Sequence, residues 1–166
     1  MDNRGRDPEM GAGSRGPYVV LVVDAVRVAL PLAVVERVVQ AAALSYLPGA
    51  PEMVLGVLKL PGRLIPVIDL RCRFGLPGRA LVPSDHLLIA RTRQRSVALV
   101  ADAVAGVSAC TQEDWVDAGQ VLPGLTLIDG LVRCEDGLLL VHDLERFLSL
   151  EEGERLDGAL AHSGGP

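Results

Sequence analysis

The sequence predicts an all-β fold of two similar five-stranded units around a shared hydrophobic core, with short helical turns and a C-terminal helix. Runs of β-branched and aliphatic residues are broken by turn residues roughly every eight to twelve positions, a spacing typical of small barrels or sandwiches. Hydrophobic residues make up 49% of the chain but aromatic residues only 3%, so the core must be aliphatic. The second half of the chain also repeats the pattern of the first, which predicts two similar units.

Four predicted hairpins supply most of the strands, and each has turn residues between its two apolar runs. Asp24-Ala25 separates the first pair of runs, and Pro61-Gly62 separates the second. Such residues favour tight turns because they supply a fixed φ, a positive φ or a local side-chain hydrogen bond. The paired runs are 18–23 with 27–31, 53–60 with 63–70, 86–92 with 95–101, and 127–134 with 138–144.

Short helical turns are predicted at the ends of several strands. Asp69 and Asp143 are suited to cap two of them, because an aspartate side chain can accept a hydrogen bond from a free backbone N–H of the first turn. Gly75 can end the turn that follows Asp69, since glycine readily adopts a positive φ. The predicted helical turns are 33–36, 69–74, 102–104 and 143–148.

The chain is expected to form one folded domain with short extensions. Residues 1–17 lack an apolar run and are predicted to be a disordered lead, not a signal peptide. Residues 18–148 hold both repeats and are predicted to form one domain of two similar halves that share a core. Residues 149–166 open with a capping box of Ser149 and Glu152, which predicts a short C-terminal helix and a tail.

Two groups of residues recur at fixed spacings, and this internal repeat determines the predicted architecture. One group recurs 74 positions later and the other 69 positions later, so both halves have their strands and turns in the same order. Neither half could bury its aliphatic faces alone, which predicts that the halves pack together. The recurring residues are Gly56, Asp69 and Leu70 with Gly130, Asp143 and Leu144, and Val28, Ala29, Leu30, Val35 and Val38 with Val97, Ala98, Leu99, Val104 and Val107.

Charge is unevenly distributed along the chain, whose formal net charge is −5. The segment 59–95 carries eight basic residues against Asp69 and Asp85, so its net charge is +6 and that of the remainder is −11. This pattern fits either a solvated face or an arginine-bearing surface that docks an acidic protein, since arginine is enriched at interfaces. A nucleic acid partner is disfavoured by the negative net charge.

The cysteines and the hydropathy pattern predict a cytoplasmic protein. Cys72, Cys110 and Cys134 show no CxxC spacing and cannot all pair with one another, so they are expected to be buried thiols in a reducing compartment. The longest aliphatic runs are about five residues, far shorter than a membrane span. Direct membrane insertion is therefore not expected.

No catalytic, cofactor or metal site is predicted. His142 is expected at a strand end, His162 lies in the tail, and His86 has no serine or cysteine placed to complete a triad with it. The cysteines and histidines lack metal-ligand spacing, and no glycine-rich stretch has the lysine and hydroxyl residue of a phosphate loop. The sequence therefore predicts a non-enzymatic interaction module, with a small-molecule-binding or enzymatic barrel as the less favoured alternative.

Several segments from about Tyr18 to Leu148 form a recognisable series, which includes VALPLAVVERVV at 28–39 and VALVADAVAGV at 97–107. The most specific segment has the pattern G-V-x-x-x-x-G-x-x-x-P-x-x-D-L-R, formed by Gly56, Val57, Gly62, Pro66, Asp69, Leu70 and Arg71. In their order and spacing, these segments together resemble the CheW domain of bacterial chemosensory systems.

This resemblance implies two five-stranded, SH3-like barrel subdomains and a non-catalytic adaptor role without a cofactor. It implies that the protein couples methyl-accepting chemoreceptors to a CheA-type histidine kinase in a chemoreceptor array, with other CheW-like proteins as further candidate partners. In the family, the helical hairpin tip of the receptor lies in an aliphatic groove between the subdomains. The matching positions in this chain are Val35, Leu87, Val97, Ala98, Val104 and Val107.

The resemblance also places kinase docking mainly on the first subdomain, at the edges of its hairpins. The positions that this implies for the kinase or another partner are Arg37, Gly56, Lys59, Pro61, Gly62 and Arg63.

Two departures from the family pattern lie on this predicted partner surface. The family sequence N-L-R-G is here Lys59-Leu60-Pro61-Gly62. A glutamate that is frequent in the family two positions after the first groove valine, Val35, is here Arg37. Proline offers neither a charge nor an N–H donor. The chain is therefore either a conventional adaptor, or a divergent CheW-like protein that has lost one partner contact and modulates array assembly or competes with a conventional adaptor.

Overall fold

The structure, a computed structural model, describes residues 17–108, 115–117, 128–134, 137–142, 144–146 and 150–163. Within these ranges the chain is mostly β, with eleven strands in two sheets, which confirms the predicted all-β class. The SH3-like barrel geometry of each unit stays a prediction. The strands are β1 (Tyr18–Val23), β2 (Val26–Pro31), β3 (Val35–Gln40), β4 (Val54–Leu60), β5 (Arg63–Ile68), β6 (His86–Arg91), β7 (Ser96–Ala101), β8 (Ala103–Ser108), β9 (Trp115–Asp117), β10 (Ile128–Cys134) and β11 (Gly137–His142).

All four predicted hairpins are present as antiparallel pairs, β1 with β2, β4 with β5, β6 with β7, and β10 with β11. The short strand β9 was not predicted, and it adds a sixth strand beside β10. The six-stranded sheet has the order β8-β1-β2-β11-β10-β9, and the five-stranded sheet has the order β3-β6-β7-β5-β4.

Within the described ranges the helical elements are short, apart from the C-terminal helix. The α-helices there are α1 (Leu70–Phe74) and α2 (Leu150–Ser163), and single 3-10 turns lie at Leu32–Val34 and Leu144–Arg146. Asp69 caps α1 as predicted, because its side chain accepts a hydrogen bond from the backbone N–H of Arg71 at 3.0 Å. Gly75 ends α1 with a φ of 68°. The predicted caps Asp143 and Ser149, and nearly all of the predicted lead, lie outside the described residues.

The helical turn predicted at 102–104 is wrong. Asp102 forms a bend, and β8 begins at the next residue. The backbone N–H of Asp102 donates to the carbonyl of Val22 at 2.8 Å, so the chain stays hydrogen-bonded to β1 while it passes from one sheet to the other. An extended partner strand at this corner excludes a helical turn.

The two sequence repeats exchange their first hairpins. The hairpin β1-β2 of the first repeat lies in the six-stranded sheet with β8, β10 and β11 of the second repeat. The hairpin β6-β7 of the second repeat lies in the five-stranded sheet with β3, β4 and β5 of the first. Each sheet therefore contains strands of both repeats, and the two sheets have the same order of equivalent strands.

The repeat extends to the register of single residues. Val67 pairs with Ala98 where β5 runs parallel to β7, and Val141 pairs with Ala29 in the equivalent place. Both closing hairpins also have a register shift just before the repeated glycine, Gly56 in β4 and Gly130 in β10. The strand pairing of these two glycines therefore confirms that they are equivalent, as predicted. The predicted equivalence of Asp69 and Asp143 stays a prediction, because Asp143 lies outside the described ranges.

One aliphatic core fills the space between the two sheets, and a second lies on the other face of the five-stranded sheet. Alternate residues of the central strands β6 and β7 face the two cores, as the period of a strand requires. The first, the inter-sheet core, contains Val19, Leu21, Val23, Val28, Leu30, Met53, Ile68, Leu70, Leu88, Ala90, Val97, Leu99, Ala101 and Leu144. The second contains Leu58, Ile65, Val67, Leu87, Ile89 and Ala98.

The strand β5 is buried on both faces, which corrects a simpler expectation. Alternation predicts that one of Val67 and Ile68 points inward, but both are buried, with Ile68 in the inter-sheet core and Val67 in the second core. The physical reason is that β5 lies between β4 and β7 in a sheet covered on both sides.

Alanine substitutions in β5 should therefore destabilise the fold from either face. We expect Ile65→Ala and Ile68→Ala each to lower the free energy of unfolding by about 2–5 kcal/mol, since both isoleucines are 1% exposed and truncation leaves a cavity. Leu64→Ala is the control in the same strand, with an expected loss below about 1 kcal/mol because Leu64 is exposed. Denaturant unfolding measures all three, and a silent Ile65 variant would contradict the second core.

The C-terminal helix α2 covers part of the five-stranded sheet. Leu156 and Ala159 are buried against Leu47 and Val57, so one face of the helix is apolar and packed. Neither α-helix in the described ranges has the length and apolar composition needed to cross a bilayer.

Cys72 in α1 is an exposed free thiol, which corrects the expectation that it is buried.

Candidate functional site

The six residues predicted to line an aliphatic groove do not form one surface. They are distributed over the inter-sheet core, its border and the second core. Val35 and Val104 are half-buried and pack against the inter-sheet core, and Val97 is buried inside it. Leu87 and Ala98 are fully buried in the second core, on the opposite face of the five-stranded sheet. Because these two side chains are covered within the chain itself, a partner cannot contact them in this structure.

A β-bulge in the edge strand β8 places Val104 and Val107 on one face. Val104 pairs with Leu21 and Val107 with Val19, on the two sides of a register shift. Directly opposite residues of antiparallel strands point to the same face, and Leu21 and Val19 both belong to the inter-sheet core. Val107 is nevertheless 62% exposed, so it presents an apolar side chain at the border of that core.

The edge strand β3 has the same arrangement. Val35 pairs with Ala90 and Val38 with Leu88, again on the two sides of a register shift and opposite inter-sheet core residues. Val38 is 39% exposed. It was not among the predicted groove residues, although its repeat relation to Val107 could have identified it. We call Val35, Val38, Val104 and Val107 the edge valines.

The second predicted surface centres on the turn between β4 and β5. Lys59, Pro61, Gly62 and Arg63 are all exposed there. Gly62 has a φ of 72°, the left-handed conformation that glycine adopts at low cost. Arg37 is exposed as well, in β3. The tip of this hairpin is therefore open to a partner.

Gly56 differs from the other predicted surface residues because it is buried. A Cβ atom at this position would lie 2.6 Å from the carbonyl oxygen of Ser45, which is closer than real Cβ contacts come. Ser45 is joined to Val57 by two backbone hydrogen bonds of 2.8 and 2.9 Å. Gly56 therefore has a structural function, since it lets the chain around Ser45 lie directly against β4.

Arg63 is held by two side chains, one from the adjacent strand β7 and one from the edge strand β3. Its Nη2 donates to Glu36 Oε2 at 3.1 Å and to Ser96 Oγ at 2.7 Å. Ser96 Oγ in turn donates to Glu36 Oε1 at 2.6 Å, and this hydrogen bond, together with Arg63, lowers the pKa of Glu36. The guanidinium of Arg63 is thus tied to β3 and β7.

Most of the basic residues of segment 59–95 are used in ion pairs within the chain. Within the described ranges, five of the eight have a carboxylate partner. The other three, which are exposed, are Lys59, Arg91 and Arg93. The idea of one broad arginine-bearing docking surface is therefore too simple. The pairs are Arg63 with Glu36, Arg71 with Asp24 and Asp102, Arg73 with Glu152, Arg79 with Asp85 and Asp102, and Arg95 with Asp157.

Two of these arginines form a continuous network with three aspartates. Arg71 donates to Asp24 and Asp102 at 2.8–2.9 Å, and Arg79 donates to Asp85 and Asp102 at 2.5–2.8 Å. Asp85 is 1% exposed, and its carboxylate also accepts the backbone N–H of Val82. The network joins the β1-β2 turn of one sheet to the loop before β6 of the other.

This network predicts a loss of stability in acid. The hydrogen bond from Arg79 lowers the pKa of Asp85, and hydrogen bonds from Asp24 N–H, Arg71 and Arg79 outweigh burial to lower that of Asp102. A carboxylate with a lowered folded-state pKa stabilises the fold above its unfolded pKa of about 3.9, and that stability is lost as the pH falls through the folded value. Denaturant titrations should show stability falling below about pH 4, and Asp85→Asn should flatten that dependence. An unchanged slope in this variant would contradict the assignment.

No metal site accompanies these carboxylates. Across the described ranges, no three histidine, cysteine, aspartate or glutamate side chains are grouped so that they could hold a metal ion. What the described surfaces offer is apolar contact at the edge valines and polar contact at the β4-β5 turn.

Comparison with known proteins gives a consistent set of relatives. The family model of the CheW-like domain matches residues 17–152. The chain is 30% identical over 128 residues to the chemotaxis protein CheW of Treponema pallidum, an alignment that covers 74% of this chain and 75% of the relative. It is also 30% identical over 109 residues to the chemotaxis protein CheW of Klebsiella aerogenes, covering 64% and 66%.

A solved structure has the same fold. The crystal structure of the scaffolding protein TtCheW from Thermoanaerobacter tengcongensis superimposes with a TM-score of 0.75 and 23% sequence identity. The superposition covers 84% of this chain and 96% of that one.

Proposed function

The chain belongs to the CheW-like domain family, and on that premise we propose that it is a non-catalytic adaptor of a bacterial chemosensory array. In this role it couples methyl-accepting chemoreceptors to a CheA-type histidine kinase, and it is a cytoplasmic protein recruited to the array. The observation that carries the proposal is the family match over residues 17–152, which includes both sheets. Other CheW-like proteins are further candidate partners.

The receptor partner is assigned to the edge valines. The tip of a receptor is a helical hairpin, and an amphipathic helix binds through apolar side chains at intervals of three or four residues. Val38 and Val107 are the more exposed members, at 39% and 62%, and Val35 and Val104 continue each strip toward the inter-sheet core. Leu87, Val97 and Ala98 then act indirectly, by fixing the strands that carry these valines.

The kinase partner is assigned to the tip of the β4-β5 hairpin and to strand β3, which are linked by the ion pair of Arg63 with Glu36. Lys59, Pro61 and Gly62 form the exposed turn, and Arg37 adds a positive charge from β3. Gly56 contributes indirectly to this surface. Because it has no Cβ atom, the segment at Ser45 can lie directly against β4 and hold this strand in position.

A second candidate function is supported by the contacts of Arg63. The family arginine of the turn is replaced by Pro61, and Arg63 is the nearest guanidinium in the sequence that could stand in for it. Arg63 is already bound to Glu36 and Ser96, so replacing the missing contact would require breaking these bonds. The alternative is therefore a divergent CheW-like protein with one weakened partner contact, which modulates array assembly or competes with a conventional adaptor.

Restoring the family residues at the turn should distinguish the two candidates. We expect the double variant Lys59→Asn, Pro61→Arg to bind the kinase regulatory domain or the receptor tip about ten- to a hundredfold more tightly, because a charge-assisted hydrogen bond contributes roughly 1.5–3 kcal/mol. Isothermal titration calorimetry against each partner measures the gain. If neither affinity rises, Pro61 is a neutral replacement and the conventional adaptor is favoured.

The proposed function itself is tested by direct binding of the wild-type chain. Titration calorimetry should detect separate complexes with the cytoplasmic tip of a methyl-accepting chemoreceptor and with the regulatory domain of a CheA-type kinase. Binding to one partner alone would support the divergent adaptor. Binding to neither would refute both candidates.

A further inference from the structure

A cleft of about 610 Å³ lies beside the β6-β7 turn, and none of the edge valines is in its lining. Its walls come from β3, β5, the β6-β7 turn and the C-terminal helix α2. Among the described residues, four arginines line it, Arg63, Arg91, Arg93 and Arg95, and Glu36 is the one acidic residue. Clefts of this size are large enough to hold a ligand or a few side chains of a bound segment.

The four arginines are not equally satisfied by the chain. All hydrogen bonds of the Arg63 side chain to described residues go through Nη2, and Arg95 pairs with Asp157 of α2. Arg91 and Arg93 are exposed, and neither forms a salt bridge within the described ranges, although the charge of Arg91 helps to lower the pKa of Glu36. The described lining of the cleft therefore keeps a net positive charge in a protein whose net charge is −5.

The turn that carries these arginines is held in one conformation. The hydroxyl of Thr92 donates to the carbonyl of Arg95 at 2.8 Å and accepts from the backbone N–H of Arg95 at 3.1 Å and of Gln94 at 3.3 Å. Glu145 accepts the backbone N–H of Arg93 at 2.7 Å. A turn fixed in this way loses little conformational entropy when a ligand binds to its side chains.

The cleft also has an aliphatic part that indicates what kind of anion fits. Leu64, which is 37% exposed, lies in its wall together with Leu160 of α2. The helix α2 already presents one carboxylate and one leucine at this place, since Asp157 pairs with Arg95 and Leu160 follows three residues later. A small inorganic anion would leave Leu64 uncovered, whereas a peptide with alternating acidic and aliphatic side chains would satisfy both parts.

The geometry points to a binding site for an acidic peptide segment of a partner protein, with carboxylates on Arg91 and Arg93 and an aliphatic side chain against Leu64. Arginine binds carboxylates through two parallel hydrogen bonds, which gives such a site both strength and orientation. The site shares Arg63 with the predicted kinase surface, and none of the edge valines lines it. Its assignment to an acidic peptide does not rest on the proposed kinase or receptor partner.

Fluorescence anisotropy tests this site with a short labelled peptide in which glutamate and leucine residues alternate. We expect binding at low ionic strength that weakens with added salt, because exposed charges are screened. The double variant Arg91→Gln, Arg93→Gln should bind at least about tenfold more weakly, and so should the same peptide with glutamine in place of glutamate. Arg155→Gln is the matched control, since Arg155 is exposed on α2 and outside the cleft, and it should bind like the wild type.

Three results would overturn the proposal. The wild type could fail to bind the glutamate peptide, the Arg155 variant could lose as much affinity as the double variant, or inorganic tripolyphosphate could displace the peptide while binding more tightly than it does. The last result would make the cleft a general anion site and not a peptide site. Circular dichroism of each variant confirms that the fold is retained.

Discussion

Replacing Arg79 with alanine is expected to lower the free energy of unfolding by about 3–5 kcal/mol. The carboxylate of Asp85 is 2% exposed, and Arg79 is the guanidinium that binds both of its oxygens. The Arg79 side chain is itself 34% exposed, but its removal leaves the buried carboxylate of Asp85 without compensation in a medium that solvates it poorly. Denaturant unfolding at neutral pH measures the loss.

Two further variants make this prediction specific. Arg93→Ala removes an exposed arginine that has no carboxylate partner within the described ranges, so it should change stability by less than about 0.5 kcal/mol. Adding Asp85→Asn to Arg79→Ala should recover part of the loss, because the uncompensated charge is removed. If the double variant is no more stable than Arg79→Ala alone, the cost does not come from the buried carboxylate.

Replacing Val107 with aspartate is expected to weaken receptor binding by about a hundredfold. An apolar helix that covers this position must desolvate a carboxylate without a partner, which costs on the order of 2–3 kcal/mol. Val107 is 62% exposed, so the substitution should leave the stability of the chain nearly unchanged. Val38→Asp should have a similar effect, because the internal repeat gives it the equivalent place in β3.

The matched control for the valine variants is Val82→Asp. Val82 is 40% exposed, and it lies in the loop before β6, outside the two strands β3 and β8 that carry the edge valines. Titration calorimetry against a receptor tip should give wild-type affinity for this control. Undiminished binding by both the Val107 and the Val38 variants would place the receptor elsewhere on the molecule.

Local sequence patterns were sufficient to predict every described strand except β9, and most of the turns. Alternation, turn dipeptides and capping residues act over a few positions, and for this reason Asp69, Gly75 and the four hairpins were predicted correctly. The helical turn at 102–104 failed because a contact far along the chain, between Asp102 and Val22, determines the backbone there. Propensity has no information about such a contact.

The exchange of hairpins could not be predicted from the repeat. A recurring pattern shows that two hairpins are equivalent, but it does not specify which half each of them joins. The choice is made by pairing between distant strands, such as Val67 with Ala98 and Val141 with Ala29. Because equivalent hairpins have similar apolar faces, either arrangement satisfies the local pattern equally well.

The sequence did not show which of the predicted site residues the fold leaves exposed. Leu87 and Ala98 have the aliphatic character of a groove, but a strand covered on both faces buries them, and one sequence does not distinguish a buried run from a half-exposed one. The bulges that bring Val35 and Val38, and Val104 and Val107, to one face are likewise absent from the local pattern. The ion pairs of the arginine segment join residues from distant parts of the chain, so they required the fold.

Co-sedimentation of a CheA-type kinase with receptor-containing vesicles is the most direct measurement of whether this chain couples the two partners. With receptor, kinase and this protein together, the kinase should sediment with the vesicles, and it should stay in the supernatant when this protein is omitted. With the Val107→Asp variant the kinase should stay in the supernatant, and with the Val82→Asp control it should sediment with the vesicles. Equal sedimentation of the kinase with and without the wild-type chain would contradict an adaptor function.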